Sequence, residues 1–278
     1  MRRFPLPRRR RWRLLLGTLA AAGALFGWQR VPATPAGVLF WPLWVAATQV
    51  IYTGALESAR LRRHAWLGQY LKSASPWHRR LGGGAFMIGR VQLTSAFLAL
   101  VLLVSLRRLG AADIALLTLA PGLFSLCQRC LDARLHSHII ERYRPALVRR
   151  LCVFGVAAVL SLGLVLVRLW QPQPYMVDTA WQTAISSHAV AATGPTLLGS
   201  LERLASAMEL TGFWLMQNTL GRFDVSQSIS LLAWAIMLLM QATLAWSLSR
   251  LLAGIAALHA RCASPEESAE LRPLPWSE

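Results

Sequence analysis

Residues 151–170 read LCVFGVAAVLSLGLVLVRLW, running from Leu151 to Trp170 with seventeen apolar or small residues before the first charge at Arg168. At about 1.5 Å of rise per helical residue, this run covers most of a hydrocarbon layer roughly 30 Å thick. Arg168 snorkelling and Trp170 among the headgroups complete the crossing. The run also divides the chain electrostatically. Arginine-rich connections precede it, and the longest connection, nearly neutral, follows it.

Composition agrees with a membrane setting. Apolar residues make up 55% of the chain and charged residues 15%, whereas a soluble domain carries roughly 25% charge. The formal net charge of +17 lies in arginines beside apolar runs and not on a soluble domain, so anionic lipid headgroups are the expected partner and nucleic acid is not. Lysine occurs once, at Lys72, a skew that suits a GC-rich genome and carries no chemistry. The four cysteines, Cys127, Cys130, Cys152 and Cys262, fall in or near apolar runs or on the expected cytoplasmic side, against a disulfide framework. Seven of the twelve tryptophans, Trp12, Trp28, Trp41, Trp44, Trp170, Trp181 and Trp246, fall near span ends as an interfacial belt would.

The expected fold is therefore all-α: a polytopic transmembrane helical bundle of about six spans, with amphipathic interfacial helices on both faces. The spans are placed at about 14–29, 37–55, 85–106, 111–128, 151–170 and 229–249. They form one helical domain over 14–260, between a basic cytoplasmic N-terminus at 1–13 and a disordered cytoplasmic tail at 261–278. The first stretch, with seven arginines before Leu14, resembles a signal peptide in outline. Without a convincing small-x-small cleavage site it reads better as a first membrane helix, in which Gly23 and Gly27 have close-packing spacing. The segment from Glu57 to Arg80 places Leu61, Trp66, Leu67, Tyr70 and Leu71 on one stripe among six basic residues, as a helix lying on the inner leaflet would. The segment from Asp132 to Arg150 places Leu135, Ile139, Tyr143 and Leu147 four residues apart and predicts a second such helix. On the outer side, Leu197–Leu220 predicts an amphipathic helix with Leu197, Leu201, Leu204, Met208 and Leu215 near one face. The fourth span is the shortest and is broken by Pro121-Gly122, so it reads as a kinked crossing, with a re-entrant element as the alternative.

Basic residues set the orientation. Seven at the N-terminus, six from Arg60 to Arg80 and six from Arg129 to Arg150 face the cytoplasm, which puts both termini inside a bacterial-type inner membrane. Arg30, Arg107 and Arg108 fall outside in this arrangement, and Asp113 is the expected partner for one of the latter two.

Reactive chemistry is sparse. Cys127-x2-Cys130 and His136-x-His138 carry zinc donors, but on a continuous helix only Cys127, Cys130 and His138 share a sector. Buried thiols beside interfacial imidazoles are the expected state, and neither metal nor cofactor is expected. Ser186-Ser187-His188 with Asp178 lacks a nucleophile elbow. H-E-x-x-H, phosphate-loop and dinucleotide patterns do not occur in the sequence. Arg90, inside the third apolar run, either snorkels to the inner interface or stands as an embedded cation, with Glu57 as the acid best placed to meet it. Two functional readings follow. A non-catalytic subunit or scaffold, with a protein partner or as a homo-oligomer, accounts for the scarcity of reactive groups. A small-solute transporter or channel requires Arg90, Gln92, Gln241 and the Pro121-Gly122 break to line one cavity. An enzyme ranks third.

Overall fold

The computed structural model describes residue 20 and residues 23–24, 27–70, 85–139, 144–171, 175–188, 196–220 and 227–263. All secondary structure among these residues is helical. The helices are α1 Ala33–Tyr70, α2 Ala85–Arg108, α3 Ala111–Thr118, α4 Ala120–Leu135, α5 Arg144–Trp170, α6 Trp181–His188, α7 Leu197–Leu220 and α8 Gln227–Ala263. Five stretches among the described residues are long and apolar enough to cross a membrane: Ala33–Arg63, Phe86–Arg108, Ala111–Leu135, Arg144–Trp170 and Leu238–Ala260. Most of the expected first span at 14–29, including Trp12 and the basic stretch before it, lies outside the described residues. So does the tail beyond residue 263.

Two sequence boundaries move. The expected second span and the basic segment after it as far as Tyr70 are one continuous helix, the 38-residue α1; the rest of that segment, to Arg80, lies outside the described residues. No glycine pair or proline separates Ala55 from Tyr70, so the helical hydrogen bonds run on through the change from apolar to basic composition. Conversely, the stretch from Asp132 to Arg150 is not one helix. α4 ends at Leu135, a turn covers 136–138, and α5 begins at Arg144 with Pro145 in its first turn. Proline fits there because its missing N–H has no intrahelical acceptor, and it disfavours helix in the residue before it.

The doubtful fourth span gains length in the same way. Leu119 joins α3 to α4, and Pro121 occupies the opening turn of α4. The pair extends through Ala111–Leu135, 25 residues, or about 37 Å. The proline that suggested a defect starts a helix.

α2 runs back along α1, with Trp28 donating to Leu103 and Trp44 to Ala96. α1 packs on α2 and α8, α8 on α5, α5 on α4, and α7 lies against α8, α2 and α1. Phe40 and Ile51 of α1, Leu102 of α2, Phe124 of α4, Leu160 and Leu164 of α5 and Leu252 of α8 are fully enclosed. The exterior is apolar as well: Val38, Leu93, Phe97, Val159 and Leu162 are each more than half exposed. Side chains of this kind on several helices suit hydrocarbon and not water. Several hydroxyls are satisfied within their own helices, as where Ser161 donates to the Ala157 carbonyl at 2.7 Å and Ser247 to that of Thr243 at 2.7 Å, the local solution available where water is missing; those of Thr48, Ser95 and Ser249 are buried without a partner among the described residues.

Of the five membrane-length stretches, the one in α8 is the most enclosed, with 56% of its apolar window buried at a mean hydropathy of 1.3, against 44% and 2.4 within Arg144–Trp170. Small residues explain it. Gly54 of α1 and Gly254 of α8 face one another, and a Cβ placed on Gly254 would stand 2.1 Å from the Val50 carbonyl oxygen. The two backbones touch, as small residues permit in helix pairs packed without a hydrophobic drive.

Candidate functional site

Charged side chains gather in two layers, one near each end of the long helices. The first joins the C-terminal end of α2, the start of α3, the end of α5 and the middle of α7. Glu202 and Glu209 are seven residues apart on α7 and so share a face after two turns. Arg107 pairs with Glu202, and Arg108 with Glu209. Arg168 donates to the second Glu209 oxygen at 2.9 Å and lies 3.4 Å from Asp113. Asp113 is completely buried, and its carboxylate accepts the Gly110 N–H at 3.2 Å. Three guanidiniums thus meet three carboxylates, a neutral layer.

The expected pairing of Asp113 with Arg107 or Arg108 is corrected: Asp113 faces α5 and meets Arg168, while the α2 arginines are taken by α7. α7 turns its acids inward accordingly. Leu197, Leu204 and Met208 are exposed, whereas Leu198, Ser206 and Leu210 are buried and both glutamates point toward the bundle. The apolar stripe looks outward because the acids on the opposite stripe have arginines to meet, a strong draw where water is scarce. The sequence signal was there: two glutamates seven apart in an otherwise nearly uncharged helix.

Two tryptophans expected at the interface belong to this packing instead. Trp28 is 3% exposed and donates its indole N–H to the Leu103 carbonyl at 2.9 Å, with Arg107 over its ring at 5.4 Å. Trp44 donates to the Ala96 carbonyl at 2.9 Å. Gln29 donates to the Leu109 carbonyl at 2.7 Å and Arg107 to that of Val31 at 3.0 Å, so the segment before α1 is tied to the end of α2. Trp170 and Trp181, with Tyr175, are exposed at this end.

The second layer lies among α1, α5 and α8. Glu57 pairs with Arg149, not with Arg90, which is exposed on α2 beside exposed Ile88 and Gly89. Gly54, Ser58, Arg149, Arg150, Val153, Arg250 and Ala253 line a small cleft. Arg250 stacks over Trp246 at 5.1 Å, and Trp246 meets Phe154 edge-on at 4.8 Å.

The other sequence candidates do not converge on one site. Gln92 is half-buried on α2 and Gln241 is buried in α8, whereas Arg90 and Gly122 are exposed. Cys127 is half-buried toward Gly155 of α5, Cys130 is exposed, and His136 and His138 lie exposed in the turn after α4. Among the described residues no three histidines, cysteines or acids come together as a metal site. His136 instead meets Arg144, which also pairs with Asp132 at 3.0 Å, closing the turn between α4 and α5. Asp178, with φ of 60°, lies in a turn held by α7, where Asn218 accepts its N–H at 3.1 Å and Gln217 accepts that of Met176 at 2.8 Å.

Comparison of the chain with family models, curated proteins and solved structures finds no match.

Proposed function

We propose that this protein is a non-catalytic subunit or scaffold of a complex in a bacterial-type inner membrane. The observation that supports the reading is that the bundle is fixed at both ends. At one, α1 and α8 cross with backbone in contact, which fixes their separation. At the other, six charged groups neutralise one another and hold α7 in place. A bundle built this way resists relative movement of its helices, the property a frame for other polypeptides needs and one that opposes alternating access.

Orientation rests on charge. The layer around Arg149, Arg150 and Arg250 belongs on the cytoplasmic side, with the arginines of 60–80 and of the α4–α5 connection. Arg107, Arg108 and Arg168 oppose this assignment weakly because their charges are cancelled by Glu202, Glu209 and Asp113. Both termini then lie in the cytoplasm. The basic inner ends of the helices face anionic headgroups and are available to a protein partner, and no role with nucleic acid is proposed.

The test is extraction of the full chain in mild detergent, affinity isolation, and measurement of the mass and composition of what comes with it. A second polypeptide at fixed stoichiometry is the expected result. A lone monomer that carries solute into sealed vesicles would overturn the proposal in favour of transport.

A further inference from the structure

The cleft at the α1, α5 and α8 ends carries more positive charge than it neutralises. Arg149 is 13% exposed and bound to Glu57. Arg150 and Arg250 line the same cleft, and Arg250 is half-buried over Trp246. Among the described residues neither Arg150 nor Arg250 has a carboxylate partner. One acid therefore faces three guanidiniums. Partly buried like charges repel in proportion to how poorly water screens them, so the arrangement is most stable with an anion among them.

The donors indicate which anion. Guanidinium presents paired N–H groups in a planar fork that matches oxygens held on a common centre. Arg150 of α5 and Arg250 of α8 approach from different helices, and Ser58, whose hydroxyl donates to the Gly54 carbonyl at 3.3 Å, lines the same cleft. An anion with several oxygens can accept from both guanidiniums at once. The Trp246 ring under Arg250 restricts where that guanidinium can go, and its edge-on contact with Phe154 ties α8 to the helix that carries Arg150.

We propose that this cleft is a phosphate-binding site, with Arg150 and Arg250 as its principal donors. The phosphate belongs either to the headgroup of an anionic phospholipid or to a small soluble phosphate. The cleft lies at the basic ends of membrane-length helices, the depth of lipid phosphates. The inference rests on the membrane reading of the helices and not on the subunit role. Glu57 is a competitor in this scheme: its carboxylate occupies Arg149, and neutralising it frees a further donor.

The experiment uses the full chain in nanodiscs of phosphatidylcholine. Phosphatidylglycerol is titrated in one arm and inorganic phosphate in the other, with lipid retention read by native mass spectrometry and stability by thermal unfolding. R150Q, R250Q and E57Q are compared with the unaltered chain. The expected result is that R150Q and R250Q each lose about tenfold in affinity, as removal of one charge-assisted hydrogen bond implies, while E57Q binds more tightly. R250K, which keeps the charge without the fork, falls between. Retention of phosphatidylglycerol that inorganic phosphate fails to displace assigns the site to lipid; stabilisation by inorganic phosphate in neutral nanodiscs assigns it to a soluble phosphate. If neither probe binds, or if folded R150Q and E57Q bind as the unaltered chain does, the proposal fails. Co-purification of a partner polypeptide is unaffected by that outcome, so the two proposals fail separately.

Discussion

Replacing Gly254 with alanine adds one methyl group at the point where α8 meets α1. That methyl would stand 2.1 Å from the Val50 carbonyl oxygen and 2.7 Å from its carbon. Carbon and carbonyl oxygen approach no closer than about 3.3 Å in weak contacts, so α8 must recede by roughly 1 Å along a line that also separates its neighbours. The obstacle is backbone, which cannot rotate aside as a side chain can. Overpacking of this kind costs about 1–3 kcal/mol, with the upper part of the range expected for a backbone obstacle. Thermal unfolding of the purified chain in detergent, followed by circular dichroism, measures it. Four glycine controls bracket the result. G54A meets Gly254 backbone atoms at 3.0 Å and G163A meets the Leu116 side chain at 2.9 Å; both cost less than G254A, the second because leucine can shift. G89A and G212A meet nothing within 4 Å and are neutral or stabilising by up to about 1 kcal/mol, because alanine favours helix over glycine. V50A trims only the methyl 3.1 Å away and leaves the carbonyl, so it does not rescue G254A. Equal stability of G254A and G89A would show that α1 and α8 do not touch there, and the packing argument would fall.

Further tests address the charged layer and the staples. E209Q strips one acid from two arginines that are each less than a fifth exposed; it destabilises by about 2–3 kcal/mol and speeds amide exchange along α7 before the other helices. D113N weakens the hold on Arg168, and because Glu209 still engages that guanidinium, its cost is below that of E209Q in the same unfolding assay. W28F loses the indole donor to the Leu103 carbonyl and costs about 1 kcal/mol, while W170F, at a side chain 91% exposed, changes unfolding little.

Much of the fold was legible because apolar runs and charges report what surrounds a segment. The crossings at 85–106 and 151–170 fall inside α2 and α5, and Leu197–Leu220 was found with its boundaries. What a linear reading misses is which face meets which. The most apolar run, in α5, is the plainest crossing, yet hydropathy does not report enclosure by protein; the most buried stretch is in α8, where glycine, alanine and serine allow backbones to meet. In α7 the apolar stripe was found and its direction was not, because direction depended on arginines in α2 and α5 some forty to a hundred residues away. Glu57 and Arg149 pair across 92 residues, a contact no local pattern encodes, and proximity along the sequence favoured Arg90. The cleft around Arg150 and Arg250 was invisible for the same reason, being assembled from three helices whose residues look individually like ordinary helix-end arginines.

The central claim is that these helices are solvated by hydrocarbon. Spin labels placed singly at Leu93, Val159 and Leu162, each more than half exposed on the outside of the helices, test it most directly when the full chain is reconstituted in bilayers. The account predicts that oxygen, which concentrates in lipid, broadens all three signals while a water-soluble nickel chelate leaves them unchanged. Collisions with the chelate at these positions would mean that water surrounds them, and the membrane architecture would be contradicted.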